Sequence, residues 1–198
     1  VKGLKDQAVH AAKELLTVQD ALDVINSQII PALDVVGKGF EKGTMFLPQL
    51  LMSAEAAKGA FEIIKEKMDA SGQKQEKKGT IILATVKGDI HDIGKNIVKV
   101  LLENYSYDVL DLGKDVPPET IVETAVEKHI QLVGLSALMT TTVPSMEETI
   151  VQLREKAPWV KVMVGGAVLT QEYADTMGAD QYCRDAMASV NYAEQVFT

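Results

Sequence analysis

The sequence predicts an α/β protein in two parts: an N-terminal helical bundle over residues 1–69 and a doubly wound sheet of five parallel strands over residues 80–198. Three observations predict it. Up to Met68, apolar residues recur every three or four positions, which is the helical period. Residues 70–79 (ASGQKQEKKG) are polar and charged and read as a linker. From Thr80 onward, short apolar runs alternate with amphipathic ones, the strand-then-helix rhythm of a parallel sheet.

Leu4 through Leu16 carry a helical pattern that ends near Thr17. Thr17-Val18-Gln19-Asp20 reads as the next helix start, a hydroxyl with an acid three residues on. Leu22, Ile25, Ile29, Leu33, Val36 and Phe40 then share one face, and Pro31 predicts a kink. Gly37, Gly39 and Gly43 loosen the end of that helix. A third helix begins with Pro48 in its first turn. Its stripe is Leu47, Leu50, Leu51, Ala54, Ala57, Phe61, Ile64 and Met68. Stripes of this kind bury against one another, so a small bundle follows.

In the second part, strands are predicted at 80–86, 107–112, 132–137, 160–165 and 180–183. Helices are predicted at 94–105, 117–128, 144–157, 171–177 and 187–197. Pro117-Pro118 and Pro158 agree with those boundaries. The expected strand order is flavodoxin-like, 2-1-3-4-5, with a crevice between the carboxyl ends of the first and third strands. That order sets the loop holding His91 beside the loop from Ser136 to Thr142.

Composition narrows the function. With 46% hydrophobic and 24% charged residues, the 198-residue chain can bury a sizeable core. A net charge of −8 and a pI near 4.9 argue against nucleic acid as a partner. The lone cysteine, Cys183, permits no internal disulfide and fits a reducing cytoplasm. No apolar run has the length of a membrane span and no signal peptide is visible. A cytoplasmic protein without membrane contact is expected. The chain starts at Val1 rather than methionine, which suggests a piece of something longer.

Gly88-Asp89-Ile90-His91-Asp92-Ile93-Gly94-Lys95-Asn96 lies where the first strand gives way to a helix. Asp89 stands two residues before His91, close enough to hold the ring, and Gly94 lets a ligand approach. The loop reads as presenting one imidazole to a metal that arrives inside a large cofactor; the bland alternative is a hydrogen-bonded histidine. Rival sites lack necessary atoms. A zinc site needs three or four ligands, and His10, His91, His129 and Cys183 are scattered. A P-loop is spoiled by one residue too many between Gly88 and Gly94, and by Asn96 where a hydroxyl belongs. The dinucleotide fingerprint is missing. Ser136 to Thr142 ends the third strand with four hydroxyls, serving a helix cap or a polar ligand. Gly165-Gly166 ends the fourth strand as a tight turn or a low floor for a ligand.

Asp89, His91 and Gly94 (D-x-H-x-x-G), Ser136 and Leu138 (S-x-L) and Gly165-Gly166 follow in order on successive strands. In this the chain resembles the cobalamin-binding module of methionine synthase, and is similar to the free-standing corrinoid proteins of anaerobic methyl transfer. The resemblance covers nearly the whole chain, and ATVKGDIHDIGKNIV is especially close. It implies cobalamin, as methylcobalamin or a related corrinoid, with its benzimidazole tail off cobalt and His91 as the lower axial ligand. It also implies that Asp89 accepts the proton-bearing nitrogen of His91. Thr142 supports Asp89 where methionine synthases commonly have serine. Asp89 and Thr142 would hold or absorb a proton as the axial bond breaks. Gly88, Ile90, Asp92 and Gly94 fall in the cofactor loop, Ser136, Leu138 and Thr140 at the cofactor or its tail, and Gly165, Gly166 and Ala186 along the tail pocket. Residues 1–69 resemble the family's helical cap, with Phe40, Leu47 and Leu50 over the reactive face. Helix core is the other reading of those three. The cap would swing aside about residues 70–79 for each transfer.

The sequence shows no folate pocket and no zinc-thiolate site, so this piece is expected to carry methyl between partners. Those partners would be methyl-donor and methyl-acceptor methyltransferase domains or subunits, with a reactivation partner. The first expectation is the cobalamin module of a methionine synthase, moving methyl from methyltetrahydrofolate to homocysteine. The alternative is a stand-alone corrinoid protein serving methylamine, methanol or methoxy systems. A cobalamin sensor would need an output domain, and a mutase a substrate barrel.

Overall fold

A computed structural model describes residues 4–71 and 77–198 and divides the chain into two units, Val1–Glu76 and Lys77–Thr198. In the first unit the apolar stripes form α1 (Lys5–Leu15), α2 (Ala21–Val24), α3 (Ile30–Glu41) and α4 (Leu47–Ser71). Ala21, Val24, Ile25 and Ile64 close a small core, with Leu15, Leu16, Ile29 and Phe61 packed on it. α1 crosses α4 at Gly59, where an added Cβ would stand 3.0 Å from Val9 Cγ2.

Two local expectations change. Thr17 does not start the second helix: its hydroxyl donates to the Glu14 carbonyl at 2.7 Å and finishes α1. The next helix opens after Asp20, whose carbonyl accepts from the Val24 amide at 3.0 Å. Pro31 does not simply kink the helix. Its ring crowds the carbonyl one turn back and it has no N–H to donate. The chain answers with one wide π-helical turn, Ile25–Ile29, between α2 and α3.

The stretch 70–79 is also redrawn. α4 continues through Ser71, because its last turns are polar yet still helical. Residues 72–76 of that stretch lie outside the described residues. Lys77 to Gly79 fall in the second unit. The Lys78 amide donates to the Ser106 carbonyl at 3.0 Å, and its Nζ pairs with Glu194 at 3.3 Å. At Gly79 an added Cβ would lie 2.1 Å from the Phe197 ring, whose centroid sits 5.5 Å from that of Tyr107.

The second unit alternates β1 (Thr80–Val86), α5 (Ile93–Asn104), β2 (Asp108–Val116), α6 (Pro118–Glu127), β3 (Leu132–Ser136), α7 (Val143–Lys156), β4 (Lys161–Gly165), α8 (Gln171–Thr176), β5 (Gln181–Tyr182) and α9 (Ala186–Phe197). A short 3₁₀ turn, Thr140–Thr142, leads into α7. All strands are parallel and lie in the order β2-β1-β3-β4-β5, the expected flavodoxin-like sheet. Central β1 is buried from Ile81 to Val86, as a strand covered on both faces must be. Ile82, Ala84 and Val86 join a core with Ile121, Met146 and Ile150 of α6 and α7; α5 packs with α9. β2 outruns the expected 107–112 because it bulges twice against β1, with positive φ at Gly113 (92°) and Asp115 (54°). No helix among the described residues is long and apolar enough to cross a membrane.

The β4–β5 edge is closed by Asp180. Its carboxylate accepts from Arg154 at 2.6 Å, Lys161 at 3.0 Å and the Val162 amide at 2.8 Å. Burial pushes this carboxyl up, but the Val162 amide, Lys161 and Arg154 outweigh it and hold it below 3.8. A group lowered in the folded state stabilises at pH above its unfolded value and loses that contribution as pH falls through its folded value. Asp180→Asn is therefore expected to lower stability by about 1–3 kcal/mol at pH 7, with the gap narrowing below pH 3.8. Urea midpoints at pH 7 and pH 3 check this; an equal gap at both would contradict it.

Candidate functional site

The site stands at the carboxyl edge of the sheet, where Thr85, Ser136 and Gly165 lie in register across β1, β3 and β4. After β1 the chain reverses in a tight turn, with the Asp89 amide donating to the Val86 carbonyl at 3.0 Å and Gly88 at φ 84°. This folds Asp89 inward until it is 0% exposed. Oδ1 accepts from the His91 amide and from His91 Nδ1, each at 2.9 Å. Oδ2 accepts from the Leu138 amide at 2.6 Å, the Thr142 hydroxyl at 3.0 Å and, more weakly, the Met139 amide at 3.4 Å. The predicted neighbourhood of the β1 and β3 loops thus takes the form of one shared carboxylate.

Burial alone would push the Asp89 carboxyl up. The His91 and Leu138 amides, the His91 ring and the Thr142 hydroxyl outweigh it and hold the group down to about 2. An ionised carboxylate only accepts, so Nδ1 must carry a proton, and in the neutral ring that leaves the lone pair on Nε2. Nε2 has no hydrogen-bond partner among the described residues, and the His91 side chain is 46% exposed. The outcome is a bare, aimed imidazole nitrogen, the donor a metal takes from a neutral ring.

Thr142 reaches Asp89 with its hydroxyl while its methyl lies against the turn; a Cβ on Gly88 would stand 3.4 Å from Thr142 Cγ2. The single hydroxyl proton is therefore shared between Asp89 and the Met139 carbonyl (2.8 Å), and the hydroxyl does not cap α7, which has no side-chain cap. Thr142→Val is expected to leave a buried charge short of one donor and to cost about 1–3 kcal/mol, whereas Thr142→Ser stays within about 1 kcal/mol. Thermal denaturation of the two variants checks this; equal losses would refute the hydrogen-bond role.

The other sequence-assigned residues divide. Ile90 (62% exposed), Ile93 (78%) and Leu138 (39%) leave apolar surface open on the loops that meet at Asp89. Asp92 and Ser136 are half-buried, while Gly88, Gly94 and Thr140 are exposed. Around Gly94 a Cβ would meet nothing within 4 Å. Gly165 sits beside the Cys183 carbonyl, and Ala186 begins α9. Gly166 has a tighter reason than a turn or a floor: a Cβ there would fall 1.7 Å from the Ala137 carbonyl oxygen. In the helical unit Leu50 is 1% exposed and Leu47 41%, with Phe40 half-buried; only Leu50 matches the helix-core reading outright.

Sequence reasoning passed over Lys95, Asp111 and Asp115. Lys95 of α5 is 4% exposed and pairs with Asp111 of β2. Asp115 bonds directly to the turn before His91. The available signal was two turn-forming residues, Gly113 and Asp115, inside a strand-like run.

The donor set fits a metal that brings its own ligands. Among the described residues no group of three His, Cys, Asp or Glu could hold a bare ion, and one imidazole is too few to do so. Thr85 Oγ1 is buried without a partner among the described residues, a polar atom that a bound group can satisfy.

Comparison with known proteins agrees with that chemistry. A family model described as a B12 binding domain matches residues 79–196, and a second with the same description matches residues 1–65. Dimethylamine corrinoid protein 2 of Methanosarcina acetivorans is 39% identical over 194 residues, spanning 97% of this chain and 89% of that protein. Trimethylamine corrinoid protein 1 of Methanosarcina mazei is 42% identical over 178 residues, 89% of this chain and 82% of that one. Among solved structures, the methanol:cobalamin methyltransferase complex of Methanosarcina barkeri matches with TM-score 0.84 and 31% identity, covering 98% of this chain and 75% of that chain. A cobalamin-binding protein of Desulfitobacterium hafniense matches with TM-score 0.82 and 30% identity, covering 96% and 90%.

Proposed function

Because the chain belongs to the B12-binding domain family, we propose that it is a corrinoid methyl carrier working with methyltransferase partners of the methylamine type. The observation that carries this reading is the bare Nε2 of His91, half-exposed and fixed through Nδ1 by a buried carboxylate. The relatives support the second of the two expectations raised by the sequence, since they are named for dimethylamine, trimethylamine and methanol systems. Nothing in them speaks specifically for a methionine synthase module.

A bound corrinoid supplies a cobalt centre that accepts and gives up a methyl group. His91 would hold the cobalt through Nε2, and the chain's own residues set that nitrogen. Asp89 keeps the proton on Nδ1 and fixes the ring's rotation; Thr142 and the Leu138 amide keep Asp89 ionised and still. With its carboxylate crowded by donors and its pKa near 2, Asp89 is a poor resting place for a further proton. That weighs against the Asp89–Thr142 pair as the store of a proton. Within the helical unit, Leu47 and Phe40 retain exposed side-chain surface and Leu50 does not.

The test is methyl traffic. The full chain loaded with cob(I)alamin is incubated with a dimethylamine or trimethylamine methyltransferase and its substrate, or with methyltetrahydrofolate and a methionine synthase catalytic module. Appearance of the methylcobalamin spectrum with the methylamine system is the expected result. Methylation from methyltetrahydrofolate alone would return the reading to methionine synthase; failure to retain cobalamin would end both.

A further inference from the structure

The geometry points to Asp115 as a positioning residue that sets how far His91 reaches toward a bound corrinoid. This inference rests on the corrinoid reading above.

The end of β2 does not pair regularly with β1. It slips register between Asp111 and Gly113 and again before Val116, and both Gly113 (φ 92°) and Asp115 (φ 54°) turn left-handed. A non-glycine residue adopts that conformation rarely, aspartate and asparagine more readily than others. The distortion aims Asp115 at one place. Its Oδ1 accepts from the Gly88 amide at 2.7 Å, and its own amide donates to the Asp89 carbonyl at 2.9 Å. These bonds grip the backbone on both sides of the Asp89 Cα. The direction in which the Asp89 side chain leaves the turn, and with it the His91 ring, is thereby fixed.

The far side of the same loop is tied to the same strand. Lys95, buried four residues after His91, pairs with Asp111, and Asp111 Oδ1 also accepts from the Gly113 amide at 2.9 Å. The bulged end of β2 therefore brackets the His91 loop, with Asp115 at its entrance and Asp111 at its exit. Asp115 touches neither the ring nor the Asp89 carboxylate among the described residues, so its influence passes through the turn.

Three variants separate its properties. Asp115→Asn keeps an oxygen acceptor and tolerance for the left-handed backbone. Asp115→Gly keeps only the backbone tolerance, and Asp115→Ala keeps neither. Each full chain is loaded with cob(II)alamin. With the histidines of the chain labelled with ¹⁵N, so that the cofactor's own base is distinguishable, its electron paramagnetic resonance spectrum is examined for the splitting that an axial imidazole nitrogen imposes, and aquocobalamin affinity is measured by absorbance titration. Circular dichroism of each unloaded variant gives its folding separately. The expected order is that D115N retains the wild-type splitting and affinity. D115G and D115A, still folded, should lose the splitting in a large fraction of molecules and bind about tenfold or more weakly. If D115G fails to fold, D115N against D115A carries the comparison.

A folded D115G or D115A with wild-type splitting and affinity would overturn the inference. So would a D115N that behaves like D115A, because the lost property would then not be the acceptor. A wild-type protein that takes up cob(II)alamin without the ¹⁵N splitting would instead strike the His91 assignment, and one that takes up none would strike the corrinoid reading itself.

Discussion

His91→Gly is expected to leave the protein folded and to remove the nitrogen proposed to hold cobalt. The ring is half-exposed, and its single hydrogen bond among the described residues is to Asp89. After the substitution the Asp89 carboxylate still accepts from the amides of residues 91 and 138 and from the Thr142 hydroxyl. The stability loss should therefore stay near about 1 kcal/mol. Ligation should change far more. Replacing partners that merely orient a metal ligand costs about 10–100-fold in affinity, and losing the ligand itself should cost at least that. The visible spectrum of the bound methylated cofactor should shift toward that of a five-coordinate corrinoid, and added imidazole should restore it. An unchanged spectrum would dispose of His91 as the ligand.

Gly166→Ala is expected to be the most damaging single methyl in the sheet unit. The new Cβ would lie 1.7 Å from the Ala137 carbonyl oxygen and 2.8 Å from its carbon. Both are backbone atoms that no rotamer change can move. The position also has φ 146°, which L-residues avoid. A loss of about 3–5 kcal/mol follows, read as a large drop in denaturation midpoint. Because Ala137 leads into Leu138, whose amide holds Asp89 at 2.6 Å, the same shift should disturb His91. Gly94→Ala is the informative contrast. Its Cβ meets nothing within 4 Å, so the unloaded protein should keep its stability while cobalamin affinity falls. A stable Gly166→Ala variant, or a Gly94→Ala variant that binds as wild type, would show that these glycines matter for other reasons.

Strand order and the Asp89–His91 pair were legible in the sequence because each depends on patterns that survive without coordinates, whereas the role of Thr142 came from the family resemblance. Alternating strands and helices dictate the topology, and topology sets the β1 and β3 loops side by side. Asp89 and His91 are two residues apart, so any turn that buries the acid can bring it to the ring. What escaped notice depends on backbone detail. Asp115 reaches the site because β2 bulges, and a bulge leaves only a weak trace in composition. The clash that reserves position 166 for glycine comes from Ala137, 29 residues earlier in sequence but adjacent in the sheet. Residues 70 and 71 read as linker because they open a mostly polar run, yet a polar run after a helix does not mark where the helix ends, and α4 continues through Ser71.

The clasp of Phe197 over Gly79 has a mechanical consequence. It fastens the last helical turn to the point where the chain enters the sheet, at the opposite end of β1 from Gly88. Seven residues of strand separate the two, about 23 Å at extended rise, and that strand is bonded along both edges. A force applied at Gly79 therefore meets a strand hydrogen-bonded on both sides before it can reach the His91 loop.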